Sequence, residues 1–184
     1  FEGENRVSNI IAYTSPTVSG FSGTVAMIPG EGADVDGDGI DDTGLTDGMS
    51  YSLSYSKDNL YLALASDKDV DSQDLVRMVM QYKIDNLKLG AMFQQNEDNQ
   101  GTKDESGYFV SAAYKIDKTT LKAQYGFIED DVDGDEEETL SLGADYKLSK
   151  NTKAYIFYTD NTDSEVDSSD DEDSSFGVGM EHKF

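Results

Sequence analysis

The chain has no cysteine, no tryptophan and a single histidine, and sets only 14 Lys and Arg against 38 Asp and Glu. Each shortage excludes something. Without cysteine there are no disulfides and no thiolate metal sites, which suits a protein that passes unfolded through an oxidising compartment. A net charge of −24 with scattered cations provides no phosphate-binding surface, so a nucleic-acid partner is excluded. His182 lies two residues from the C-terminus, and no serine or aspartate is singled out beside it by spacing. General-base and nucleophile constellations therefore find no support, and no enzymatic role is expected. No run of 18 apolar residues is present, which excludes a membrane-spanning helix but says nothing about strands, where only alternate residues face lipid. Helical periodicity is absent as well, and 36% hydrophobic residues is little for a buried core.

What the chain does contain is a repeat. Tyr82-Lys83-Ile84, Tyr114-Lys115-Ile116 and Tyr146-Lys147-Leu148 follow one another at intervals of 32 residues, and His182-Lys183-Phe184 closes the sequence in the same frame. Period-two alternation marks eleven segments as strands, approximately 6–15, 21–30, 49–57, 60–67, 74–84, 87–95, 107–116, 120–128, 139–148, 152–159 and 175–184. Most are close to the ~9–11 residues that a tilted strand needs to cross a bilayer. In 74–84, Val76, Met78, Met80, Tyr82 and Ile84 share one face, and Arg77, Val79, Gln81 and Lys83 share the other. The apolar face is expected to meet lipid. Small and polar residues on the second face, such as Ser50, Ser52, Ser54, Ser141, Gly143, Gly177 and Gly179, are poor core fillers and fit a wall wetted by water.

Connections alternate between short (Asp58-Asn59, Asp85-Asn86, Asp117-Lys118, Ser149-Lys150-Asn151) and long (31–48, 67–73, 96–106, 129–138, 160–174). Outer-membrane barrels place short turns in the periplasm and long loops outside. With Asp74 at the edge of the second, the long connections hold 31 of the 38 acids and only Lys68 and Lys103 among the cations. Ten lysines cluster toward the short turns, and Arg77, Lys83, Lys88, Lys115, Lys122 and Lys147 are the expected lining of a lumen. Acidic lips concentrate cations within about 8 Å at physiological salt, so a cation-leaning channel is expected. An odd strand count with a first strand running inward implies that upstream strands precede Phe1.

Two further features stand out. Tyr13, Tyr55, Tyr82, Tyr114 and Tyr146 recur near the short turns and, with Phe184, read as a membrane-interface girdle. Asp34, Asp36, Asp38 and Asp42 fall in a stretch that matches the first half of a Ca²⁺ loop, with glycine at position 6. Position 12 is Leu45 rather than glutamate and no helices flank the loop, so an EF-hand is excluded; a repeat-type Ca²⁺ site at 34–42 stays open as the one expected cofactor. The similar stretch Asp131–Asp135 lacks the glycine and reads as charge alone. Divalent ions bridging these loops to lipopolysaccharide phosphates are a further expectation.

Arg6-Val7-Ser8-Asn9 leading into Tyr13-Thr14-Ser15-Pro16-Thr17-Val18-Ser19-Gly20-Phe21, together with the terminal Phe176-Gly177-Val178-Gly179-Met180-Glu181-His182-Lys183-Phe184, resembles the general diffusion porins of Gram-negative bacteria. That resemblance implies an all-β transmembrane antiparallel barrel of which residues 1–184 form the C-terminal part, the last eleven of sixteen strands. It further implies a homotrimer in outer-membrane lipid that passes small hydrophilic solutes and ions, with acidic loops outside and the C-terminus periplasmic. The constriction loop would lie upstream of Phe1, and Arg6 would be the last arginine of the basic wall. His182 departs from the aromatic that such porins carry third from the end. The alternative is a surface-exposed structural or adhesion barrel with a plugged lumen and acidic, Ca²⁺-binding loops.

Overall fold

The computed structural model describes residues 6–30, 44–164, 166 and 171–184. They form eleven strands: β1 (Ile11–Thr14), β2 (Phe21–Ile28), β3 (Gly48–Lys57), β4 (Leu60–Val70), β5 (Gln73–Ile84), β6 (Leu87–Asp98), β7 (Asp104–Ile116), β8 (Thr119–Asp130), β9 (Glu136–Lys147), β10 (Thr152–Ser164) and β11 (Asp171–His182). One antiparallel sheet takes them in sequence order, with β1 and β11 at its two edges. Sequence neighbours pair throughout, and at the short connections the register is set by a local turn.

The repeated tyrosines reveal the geometry of this wall. Tyr82 pairs with Leu60, opposite Lys57, two residues nearer the turn than Tyr55. Tyr114 pairs with Leu87, opposite Ile84, two residues beyond Tyr82, and Tyr146 pairs with Thr119, opposite Ile116, two beyond Tyr114. The step is two residues per hairpin, or one per strand. At ~3.4 Å per residue and ~4.8 Å between strands this corresponds to a tilt of about 35°, the inclination that closed barrels require. Tyrosines that climb the ladder therefore stand at one height once the strands are tilted. Tyr13 is off this line: it pairs with Val25, opposite Tyr51, and so stands higher up the wall than the others.

Three sequence-based boundaries need correction. The first strand begins at Ile11 rather than at residue 6, because Asn9 adopts a left-handed φ of 58° that interrupts the extended run. Arg6 is therefore exposed and outside any strand, not on the wall. The connection 67–73 is not a long loop: Val70 pairs with Gln73, and Asp71 and Ser72 turn at φ 55° and 61°. Two successive positive-φ residues are the signature of a hairpin turn matched to strand twist. Elsewhere the strands run up to five residues further toward the acidic end than alternation indicated (β10, for example, ends at Ser164), because charged and polar residues continue the ladder where hydrophobic alternation has already stopped.

The β1–β2 turn depends on Gly20. Its φ is +93°, and a Cβ there would lie 2.8 Å from the Ser56 carbonyl oxygen, whose own residue's N–H donates to the Gly20 carbonyl at 2.8 Å. Ser15 completes the turn by accepting the Gly23 N–H on its hydroxyl at 2.9 Å. Gly20→Ala is expected to lower stability by roughly 1–3 kcal/mol through backbone strain, read as a reduced urea midpoint of the detergent-folded protein.

Candidate functional site

Alternation divides the sheet into two chemically distinct faces. Val76, Met78 and Met80 on β5 are 42%, 49% and 44% exposed, while Arg77 and Val79 between them are half-buried on the other side. The same apolar set continues through Val110, Leu121, Leu140, Leu142, Ile156 and Val178. From Val76 to Ile84 is eight residue steps, ~27 Å of strand and about 22 Å of height at the derived tilt, close to the ~25 Å apolar band of a membrane barrel.

The opposite, inner face is polar and organised in rows across the strands. One row runs Lys83, Lys88, Ala113, Lys122, Gly143 and Phe157 on β5 to β10. The row nearer the acidic end runs Gln81, Gly90, Ser111, Gln124, Ser141 and Thr159, and the next is Val79, Met92, Phe109, Gly126, Thr139 and Asn161. Ser141 and Thr159 hydroxyls lie 3.0 Å apart, and Thr139 donates to Asn161 Oδ1 at 2.9 Å. Arg77 donates from Nε to Gln94 Oε1 at 2.7 Å. Gln94 and the adjacent Asn96, 3% and 1% exposed, make this the least accessible part of the wall.

Five lysines expected in the lumen are on this inner face. Lys122 pairs with Asp145 at 2.7 Å; Lys153, which the sequence reading did not place there, reaches Asp145 at 3.4 Å and Glu181 at 3.1 Å. Lys83 stands directly opposite Lys88, and Lys147 opposite Lys153. Among the described residues no carboxylate lies within 4 Å of the ammonium groups of Lys83, Lys88, Lys115 or Lys147, whereas Lys68 and Lys103 at the other end are both ion-paired.

At that other end the ladders bring acids face to face. Asp74 meets Glu97, which meets Asp104; Glu105 meets Asp130, Glu129 meets Glu136, and Asp163 stands between Glu137 and Asp171. Like charges directly opposed are destabilising. Lys68 answers part of the charge; the hydrogen bond to Asp74 raises its pKa, and Asp69 adds to it at 3.6 Å. The Asp98 carboxyl is held below its ordinary range by the Thr102 hydroxyl and by the backbone N–H groups of Thr102 and Lys103, which closes the β6–β7 turn.

An apolar belt around a tilted antiparallel wall, a wet inner face and a 32-residue hairpin repeat are matched by the family profile for the Gram-negative porin, which covers residues 1–166. The chain belongs to the Gram-negative porin family. Solved structures agree on the fold. The anion-selective porin from Comamonas acidovorans is similar over 97% of this chain and 60% of its own, with TM-score 0.79 and 17% identity. The outer membrane channel DcaP of Acinetobacter baumannii matches over 95% of this chain and 62% of its own, with TM-score 0.75 and 13% identity. Pseudomonas aeruginosa OccK5 matches over 94% and 59%, with TM-score 0.72 and 12% identity. This chain thus spans about 60% of the length of these structures. No curated protein sequence matches significantly.

Within the porin wall, one set of residues escaped the sequence reading. Phe93, Tyr108 and Phe127 form a direct cross-strand row on the outer face near the acidic end, with Tyr108 and Phe127 ring centroids 5.8 Å apart and Tyr125 6.3 Å from Tyr108. Tyr158 and Phe176 pair further round. They form a second aromatic row opposite that of Tyr55, Tyr82, Tyr114 and Tyr146. Their signal was an aromatic near the loop end of consecutive strands, hidden because their spacing varies with loop length. At the short-turn end Phe21 packs on Tyr55 at 4.6 Å, and His182 lies edge-on to Phe184 at 4.9 Å while sharing a 2.9 Å hydrogen bond with Thr152. His182 thus has an aromatic contact at the short-turn end of the outer face. The Ca²⁺ loop positions Asp34, Asp36, Asp38 and Asp42 lie outside the described residues; among those described, no three His, Asp or Glu converge as a metal site.

Proposed function

We infer that the complete protein forms a water-filled channel in the outer membrane through which small hydrophilic solutes and ions diffuse passively, without catalysis. The observation that carries this reading is the segregation of the wall: apolar side chains such as Val76, Met78, Met80, Val110 and Leu142 on the outer face, and a lysine row followed by an amide and hydroxyl row on the inner one. A soluble sheet buries one face against a second layer, but an inner face of this polarity is a poor core and a good lining for water.

Orientation follows from loop length and charge, with the acidic rim outside and the short turns and Phe184 in the periplasm. Partners are lipid, lipopolysaccharide reached through divalent ions at the acidic loops, and two further copies in a trimer. The rim favours cation entry, while the inner wall beyond it is basic, so the two act in series. The Comamonas porin is anion-selective, and at 17% identity its preference is not a guide to this rim. Single-channel recording in planar bilayers tests the reading. Steady conductance with a reversal potential favouring K⁺ over Cl⁻ at low salt is the expected result. Electrical silence would overturn it in favour of a plugged adhesion barrel.

A further inference from the structure

We propose that the inner wall beside the short turns carries a binding subsite for a small phosphate monoester, its phosphate held between Lys83 and Lys88 and its hydroxylated body against Tyr61, Gln81 and Ser56. The proposal rests on the channel reading above and adds a solute class to it.

Three observations converge. First, Lys83 and Lys88 are directly opposed on β5 and β6. The Lys83 N–H donates to the Asn59 carbonyl oxygen at 3.0 Å, toward β4 and away from Lys88. The two lysines therefore form the narrow, non-hydrogen-bonded kind of pair, with Cα atoms ~4.5 Å apart and side chains at their closest. Like charges so placed are destabilising. Among the described residues no carboxylate lies within 4 Å of either ammonium, in a chain with 38 acids. Second, another opposed pair on the inner face has its charge answered from within. Lys147 stands opposite Lys153, and Lys153 reaches Asp145 at 3.4 Å and Glu181 at 3.1 Å. Compensation is thus built in between β9 and β11 and left open between β5 and β6. Third, Lys83 and Lys88 both line one open recess of about 510 Å³, together with Gln81, Tyr61 and Ser56. That volume lies within the range of small-molecule sites, ~300–1,000 Å³. Ser56, Tyr61 and Gln81 form a continuous cross-strand row on β3, β4 and β5, two residues and ~7 Å from the lysine row. All five side chains are exposed. Asp58 also lines the recess, but it is held at φ 53° in the β3–β4 turn and pairs with neither lysine.

The arrangement selects by charge and by body. A carboxylate or a chloride carries one charge and answers one ammonium. A phosphate monoester carries about −1.5 to −2 at pH 7 and three acceptor oxygens, enough for both lysines at once. Hydroxyls on the ester's alcohol reach the row of hydroxyl and amide groups, which inorganic phosphate leaves unused. A small polyol phosphate therefore dwells longer than either of its parts alone.

The test is interruption of single-channel current by added solute in ~0.1 M KCl. Lys83 is nine residue steps, ~30 Å of strand, from the acidic rim at Asp74, well beyond the ~10 Å Debye length at that salt. Glycerol 3-phosphate at millimolar concentration is expected to produce saturable interruptions, inorganic phosphate shorter ones, and acetate and glycerol none. Lys83→Gln and Lys88→Gln are each expected to shorten the glycerol 3-phosphate dwell about tenfold, Lys88→Arg to retain it, and Lys147→Gln to leave it unchanged. Assembly of each variant is read separately, from the electrophoretic mobility of the folded barrel. Steady conductance that glycerol 3-phosphate leaves unaltered overturns the subsite alone. So do interruptions of equal length by acetate, or a dwell that Lys147→Gln shortens as much as Lys83→Gln and Lys88→Gln, which would make the binding a property of the basic wall at large. Equal dwells for inorganic phosphate and glycerol 3-phosphate overturn the assignment of the ester's body to the Tyr61 row. Electrical silence in KCl before any solute is added overturns the channel itself and the subsite with it.

Discussion

Val110→Arg is expected to prevent assembly of the wall, while the same residue placed one position along, Ser111→Arg, is expected to be accepted. Val110 is 47% exposed on the outer face and sits mid-belt, pairing with Ala91 and Tyr125. An arginine near the bilayer midplane on that face costs roughly 2–4 kcal/mol, because no water is present to solvate the guanidinium. Ser111 occupies the inner amide row between Gly90 and Gln124, where water is available and Gly90 offers space. Folding into phospholipid vesicles, followed by the altered electrophoretic mobility of folded barrels, measures both. Equal folding yields for the two variants would mean that the faces have been assigned the wrong way round.

The second large effect concerns selectivity. Replacing Glu97, Asp104, Glu105, Asp130, Glu129 and Glu136 by their amides is expected to reduce the K⁺ over Cl⁻ preference several-fold at ~10 mM salt, where the Debye length is ~30 Å and the rim's field spans a pore mouth. At ~1 M salt, with screening within ~3 Å, wild type and variant are expected to converge. The two salt concentrations separate the rim from the inner wall: a preference that persists unchanged at low salt after neutralisation would place the selecting charges elsewhere. Since Glu129 and Glu136 stand directly opposed, as do Glu105 and Asp130, the amide variant is also expected to fold at least as stably as the wild type.

Strand existence and facing were legible because both are encoded at period two within a single segment. Val76, Met78 and Met80 declare the outer face of β5 with no reference to any other strand. Strand ends were less legible. Runs such as Glu136–Glu138 and Asp160–Ser164 continue the ladder on polar residues, where alternation of hydrophobicity gives no signal. Arg6 belongs to the basic wall only by the porin resemblance; the structure has it exposed and ahead of β1, on the far side of the left-handed Asn9. The 67–73 connection read as a loop because Asp and Ser are loop-forming in composition, yet Asp71 and Ser72 at positive φ make the tightest turn at that end.

The sequence by itself determined the class of wall, its two faces, the position of the short turns and the separation of acid from base, because each of these is a property of one strand or one turn. Only the tertiary structure decided who faces whom. That Lys83 meets Lys88, that Lys122 shares Asp145 with Lys153, and that Phe109 stands beyond the amide row and that row beyond the lysines, depend on a register summed through successive hairpins. A stagger of one residue per strand is invisible within any single strand, yet it tilts the sheet and lines up the tyrosines.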